Sequence, residues 1–216
     1  MPRPRTTVVD DPGLADKMLC AHWRLIERLA DVAAVHGSLL VVDEAYGEFA
    51  PWSAIELVDD GRPLVVVRTY SKVWSLAAIR LGFAVGPPWV VEELEKVLLP
   101  YALSVPTQLA GMIALEFRAE MEQRVAALVE ERGRLLASLS ELRGLTVYPS
   151  GANFVLVRVD GDAHELWQRL LARGVLVRDF SRWPFVEDCL RVTVGTPAEN
   201  AAFLDAIRAT LPEVTT

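Results

Sequence analysis

The chain has 216 residues, with 22 Lys and Arg against 29 Asp and Glu, for a formal net charge of −7. An acidic surface repels polyanions on average, so neither nucleic acid nor an anionic membrane is an expected partner. A hydrophobic share of 52% with 24% charged residues is the composition of a globular chain with a real core, and the length suits one large domain or two small ones. Cys20 and Cys189 form no CxxC pair, so buried free thiols are expected rather than a disulfide framework or a zinc knuckle. His22, His36 and His164 are scattered without ligand spacing, which argues against a metal site. Arg3 and Arg5 are followed by no apolar run of the signal-peptide kind, and the longest aliphatic runs fall far short of the ~20 residues of a membrane span. A soluble cytoplasmic protein is the expectation.

In chain order, Met18, Leu19, Trp23, Ile26, Leu29, Ala30 and Ala33 recur at helical spacing over residues 17–35, and Gly37 follows as a stop. Residues 39–42 and 64–67 are continuous aliphatic runs, the pattern of strands covered on both faces in a parallel sheet. They end in Asp43-Glu44-Ala45-Tyr46 and Arg68-Thr69-Tyr70-Ser71-Lys72, and a third run, 81–85, closes at Gly86-Pro87-Pro88. Ligands of open α/β sheets gather at the carboxyl ends of strands, so these two segments are site-like. A short helix is predicted over 89–99 and a long one over 107–142, weakened only at Gly111 and Gly133. Strands at 145–148, 154–159, 175–177 and 190–194, interleaved with helices at 163–173 and 197–211, then read as a smaller α+β unit.

An Asp at a strand end, a Tyr three residues on, a Ser-Lys with the lysine 29 positions after the Asp, and an Arg eight beyond that are the groups a pyridoxal phosphate site requires. That cofactor needs a lysine amine, a carboxylate to keep its ring nitrogen protonated, and hydroxyl or cationic donors for its phosphate. Lys72, beside Trp74 on a loop after a buried strand, is expected to be partly desolvated, which lowers a lysine pKa and frees the amine as a nucleophile. Glu44 and Glu48 are expected on a solvated loop face.

The segments Val41-Val42-Asp43-Glu44-Ala45-Tyr46-Gly47-Glu48-Phe49 and Arg68-Thr69-Tyr70-Ser71-Lys72, with Leu76-Ala77-Ala78-Ile79-Arg80-Leu81-Gly82-Phe83, resemble two signatures of the class II, fold type I aminotransferases, and among these the histidinol-phosphate aminotransferase subfamily. The likeness continues through Pro100-Tyr101-Ala102-Leu103-Ser104, Ala152-Asn153-Phe154-Val155-Leu156, Val177-Arg178-Asp179 and Cys189-Leu190-Arg191-Val192-Thr193-Val194-Gly195-Thr196. It implies an α/β, fold type I PLP-transferase-like architecture: residues 1–120 as the C-terminal part of a large cofactor-binding domain with a mostly parallel sheet, and residues 121–216 as a small α+β domain.

The resemblance also implies roles. Lys72 would be the catalytic residue that bonds pyridoxal 5'-phosphate and shuttles a proton. Asp43 would pair with the ring nitrogen and Tyr46 with the phenolic oxygen, while Thr69, Ser71 and Arg80 would hold the phosphate. Arg191 would bind the carboxylate of an amino acid or 2-oxo acid, and Arg178 the phosphate of histidinol phosphate. A homodimer working on small-molecule substrates in histidine biosynthesis is the implied context, with 2-oxoglutarate and glutamate as the exchanging pair. Threonine-phosphate decarboxylases and aromatic aminotransferases share the same cofactor residues.

Family members normally begin well upstream. They carry a small-residue phosphate loop, an aromatic residue stacked on the cofactor ring and an Asn-Pro-rich segment, none of which is visible before Asp43; Asp10-Asp11-Pro12-Gly13 does not match the last of these. Two expectations follow: the C-terminal portion of an aminotransferase, or a truncated and catalytically incompetent remnant. Either would leave sheet edges and apolar faces uncovered.

Overall fold

The computed structural model describes residues 14–211, with side chains described from residue 23 onward. Arg3, Arg5 and the Asp10-Gly13 segment, and the side chains of Met18, Leu19, Cys20 and His22, therefore lie outside the described residues. The chain divides into two compact units. One holds the chain up to Ala45 with Trp52–Lys72 and Leu76–Leu109; the other holds Tyr46–Pro51, Val73–Ser75 and the chain from Ala110.

In the first unit, helix α1 (Leu14–Val35) ends before Gly37, whose φ of 61° is the left-handed conformation glycine adopts without a Cβ penalty. Strands β1 (Leu40–Asp43), β2 (Leu64–Thr69) and β3 (Gly82–Val85) form a sheet in that order. As the aliphatic runs predict, β1 and β2 are parallel, with Asp43 opposite Val67. The third run departs from the pattern of the other two: β3 joins antiparallel, Thr69 opposite Gly82. Its residues are largely exposed, and β1 alternates with Val41 exposed, so only β2 is the doubly covered strand that the aliphatic composition suggests. Leu64 and Val66 are fully buried, in a cluster with Ala54 and Leu57 onto which Trp23, Ile26 and Trp52 pack. Helix α2 (Pro88–Val97) follows, with Pro at its first position, where a missing N–H costs nothing.

The long helix predicted over 107–142 is two helices, α3 (Val105–Glu116) and α4 (Arg118–Ser140). The break falls at Phe117, at φ −97° and ψ 27°, rather than at Gly111 or Gly133; no Gly or Pro marks it. Strands β4 (Leu145–Val147), β5 (Phe154–Val159), β6 (Arg178–Asp179) and β7 (Cys189–Thr193) form an antiparallel sheet ordered β4-β5-β7-β6. Helices α5 (Ala163–Ala172) and α6 (Pro197–Thr210) complete the second unit. Its core joins Leu135, Leu139, Val155, Val157, Leu166, Leu170, Leu190, Val192, Phe203 and Ile207. Asp162 caps α5 by accepting from Glu165 N, and Thr196 with Glu199 forms a capping box on α6.

The strand predicted at 175–177 forms instead at Arg178–Asp179. The end of α5 explains the shift: Gly174, at φ 78°, donates to Leu171 O and Val175 donates to Leu170 O, a Schellman closure. Val175 thus spends its N–H on the helix end, and the ladder with β7 starts only afterwards.

Candidate active site

Parallel pairing of β1 with β2 sets their carboxyl ends side by side, so Asp43, Thr69, Ser71 and Lys72 emerge from one sheet edge. Antiparallel return of β3 brings Arg80 to the same place. This return is close: a Cβ on Gly82 would lie 2.7 Å from Arg68 O, so only glycine permits the approach. Asp43, Thr69, Ser71, Lys72 and Arg80 accordingly line one open cleft of about 350 Å3, with Arg68 beside them. The sequence-predicted cofactor residues of this unit therefore all meet.

Local bonds shape the cleft. Asp43 Oδ1 accepts from Ala45 N at 2.9 Å, an Asx turn that sets the carboxylate at the strand end. Thr69 Oγ1 accepts from Ser71 N at 3.0 Å and lies 2.8 Å from Ser71 Oγ, holding the two hydroxyls adjacent. Arg80 takes a left-handed backbone (φ 55°) and donates through Nη1 to Ala77 O at 3.0 Å. Lys72, expected to be partly desolvated, is exposed. It follows the half-buried residues that end β2, and burial resumes only at its neighbour Val73.

Glu44 corrects a second expectation. Instead of a solvated face, its side chain is only 10% exposed and accepts from Arg68 Nε at 3.1 Å and Nη2 at 2.8 Å, from Ser53 Oγ at 2.7 Å and from Ala54 N. Asp43 and Glu44 point to opposite sides of the strand end, one into the cleft and one into a sealed ion pair. The motif alone does not reveal this, because Arg68 and Ser53 lie 24 and nine residues away.

Tyr46 belongs to the second unit, its ring edge-on to Phe154 at 5.3 Å and 83°. In that unit Arg191 on β7 lies between two rings, 5.0 Å from the centroid of Phe154 and 5.5 Å from that of Phe180. Its Nε is buried without a hydrogen-bond partner. Stacked guanidinium planes of this kind keep their outer donors oriented for an anion. Arg178 is the cross-strand partner of Arg191, and both line a cavity of about 510 Å3 with Thr193, Gly195, Glu199 and Asn200. Sequence reasoning missed Arg132, a buried guanidinium on α4 that donates to Phe49 O at 3.1 Å and Ala152 O at 2.8 Å. Burial lowers its pKa. It ties the turn after Tyr46 to the loop before Phe154; helical periodicity treats it as one more polar residue. Among the described residues no cluster of His, Cys, Asp and Glu could hold a metal, and no helix is long and apolar enough to cross a membrane.

Residues 21–207 match the family described as aminotransferase class I and II, and the chain belongs to that family. Its members have the fold type I architecture and use pyridoxal phosphate. A histidinol-phosphate aminotransferase of Cupriavidus pinatubonensis is 46% identical over 177 residues, which is 82% of this chain and 48% of that protein. The structure of histidinol-phosphate aminotransferase from Sinorhizobium meliloti in complex with pyridoxal-5'-phosphate is similar at a TM-score of 0.70 and 25% identity, over 85% of this chain and 53% of that one. L-threonine-O-3-phosphate decarboxylase from Porphyromonas gingivalis shares the fold, at a TM-score of 0.77 and 24% identity, over 88% of this chain and 59% of that one. The chain spans about half the length of the curated relatives it matches.

Proposed function

We propose that the chain supplies the lysine-bearing part of a pyridoxal-phosphate-dependent aminotransferase whose substrate is a phosphorylated amine, histidinol phosphate, with 2-oxoglutarate and glutamate as the exchanging pair. The observation that carries the reading is the cleft in which an amine, a carboxylate, two hydroxyls and a guanidinium converge from three strands. That donor set fits the cofactor group by group, and the relatives' names supply the substrate.

When bound, pyridoxal phosphate supplies an electron sink for carbanionic charge. The chain's own groups do the rest. Lys72 Nζ would be the attachment point and the base and acid that holds and moves the proton. The Asp43 carboxylate would pair with the ring nitrogen and favour its protonated form. Thr69 and Ser71 hydroxyls and the Arg80 guanidinium would donate to the phosphate, and Tyr46 is the residue that would serve the phenolic oxygen. Arg191 receives the substrate carboxylate and Arg178 its phosphate. A cytoplasmic homodimer, with the small domain beginning near residue 121, completes this reading.

A second reading, a chain that keeps the fold without turnover, is favoured by the exposure of Asp43, Lys72 and Arg80. Mixing the purified chain with pyridoxal phosphate separates the two. A visible absorption band, and a mass increase on the Lys72 peptide after borohydride reduction, both absent in Lys72→Ala, support the aminotransferase reading. A chain labelled equally at other lysines overturns it. Transfer from histidinol phosphate outpacing transfer from phenylalanine supports the substrate, and the reverse order refutes it.

A further inference from the structure

Arg178 and Arg191 are direct cross-strand partners at the edge of the second sheet, so two cations share one face of β6 and β7. Like charges in that position repel. The strand carrying Arg178 has only two residues, too short a ladder to hold the pair together unaided. Helix α5 supplies the missing restraint from the other face. Trp167 Nε1 donates to Val177 O at 3.0 Å, on one side of Arg178. His164 Nδ1 lies 2.7 Å from Asp179 Oδ2, on the other side. The two α5 side chains stack on each other, 5.6 Å between centroids and 17° between planes, so they form one rigid element. Asp179 Oδ1 also accepts from Ser181 N at 2.8 Å, and the next residue, Phe180, donates to Cys189 O at 3.0 Å while its ring lies against Arg191.

We propose that Trp167, His164 and Asp179 form a clamp that brackets Arg178 and holds β6 in register, so that Arg178 and Arg191 stay together as a preformed site for a phosphate- or carboxylate-bearing ligand. Asp179 is a positioning residue; it acts through Arg178 and Phe180 rather than on the ligand. The inference rests on the reading of the two arginines as an anion-binding pair. Its energetic logic is preorganisation: the repulsion between the guanidinium groups is overcome in the folded unit before any ligand arrives, so the anion gains the full attraction of both.

The test uses the full chain with inorganic phosphate as the probe. Asp179→Ala and Trp167→Phe are expected to weaken phosphate affinity about tenfold and to speed hydrogen exchange of the Phe180 amide by a similar factor, with far-UV circular dichroism unchanged. Asp179→Asn keeps an acceptor for Ser181 N and is expected to recover most of the affinity, which a loss of general packing would not allow. Unchanged Phe180 exchange in both disruptive variants overturns the clamp. A wild-type chain that binds no phosphate overturns the anion reading alone, and the clamp is then decided by the exchange result.

Discussion

Replacing Glu44 by alanine removes the counter-charge of Arg68 and nothing that faces the cleft. The Glu44 and Arg68 side chains are 10% and 15% exposed, and the carboxylate also serves Ser53 and the Ala54 amide. Breaking a fully buried pair from one side costs about 3–5 kcal/mol, because the surviving charge is stranded in a poor solvent. The small residual exposure lets water reach the guanidinium and lowers the expected loss to about 2–4 kcal/mol. Removing both charges together in Glu44→Met with Arg68→Met is expected to restore most of that loss. The two units need not unfold together, so a single global midpoint is a poor measure. Amide exchange in β1 and β2 reads the first unit by itself. A loss below about 1 kcal/mol in Glu44→Ala, or a double variant as unstable as the single one, would refute the stranded-charge argument.

Gly82→Ala forces a Cβ to within 2.7 Å of Arg68 O, so β3 must move away from β2. The expected cost is about 1–3 kcal/mol, with a reduced yield of the reduced cofactor adduct at Lys72, since Arg80 shifts with the strand. Asp179 is pushed up by burial, but the hydrogen bonds from Ser181 and His164 outweigh this and hold its carboxyl below the usual carboxylate range. Its contribution to stability is therefore complete above about pH 4 and lost as the pH falls through the depressed value; thermal melts of Asp179→Asn should show a shallower acid decline than wild type. Burial raises the Cys189 thiol, against the opposing effect of Arg158, so peptide mapping after native alkylation should find Cys189 unmodified until denaturant is added. Thr196→Ala removes the α6 capping box and is expected to cost about 1 kcal/mol in denaturant unfolding of the second unit.

What the sequence made legible depended on the range of the forces concerned. The aliphatic runs before Asp43 and Arg68 locate β1 and β2 to within a residue or two, although only β2 is covered on both faces; β1 leaves Val41 exposed. The direction of β3 is not legible, since its aliphatic run reads like the other two and yet pairs antiparallel; the readable clue is Gly82, and its meaning depends on a carbonyl 14 positions away. Glu44 and Arg132 were misjudged or missed for the same reason: a charge is buried or solvated according to partners that only the fold supplies.

The charged groups of the cleft show where composition and chemistry part. Asp43, Thr69, Ser71, Lys72 and Arg80 converge as the motifs imply, yet three of the five are exposed to water. A unit-charge interaction at 4 Å is worth about 1 kcal/mol in water and several times that near a protein surface, so the same donors bind an anion more weakly when solvated. The cleft therefore brings the proposed cofactor donors together without the desolvation that makes such a site tight. Pyridoxal phosphate is accordingly expected to attach to Lys72 with a strong dependence on ionic strength. Attachment insensitive to salt up to ~1 M, where exposed charges are screened beyond about 3 Å, would mean that these side chains bind in a much drier setting than their exposure indicates.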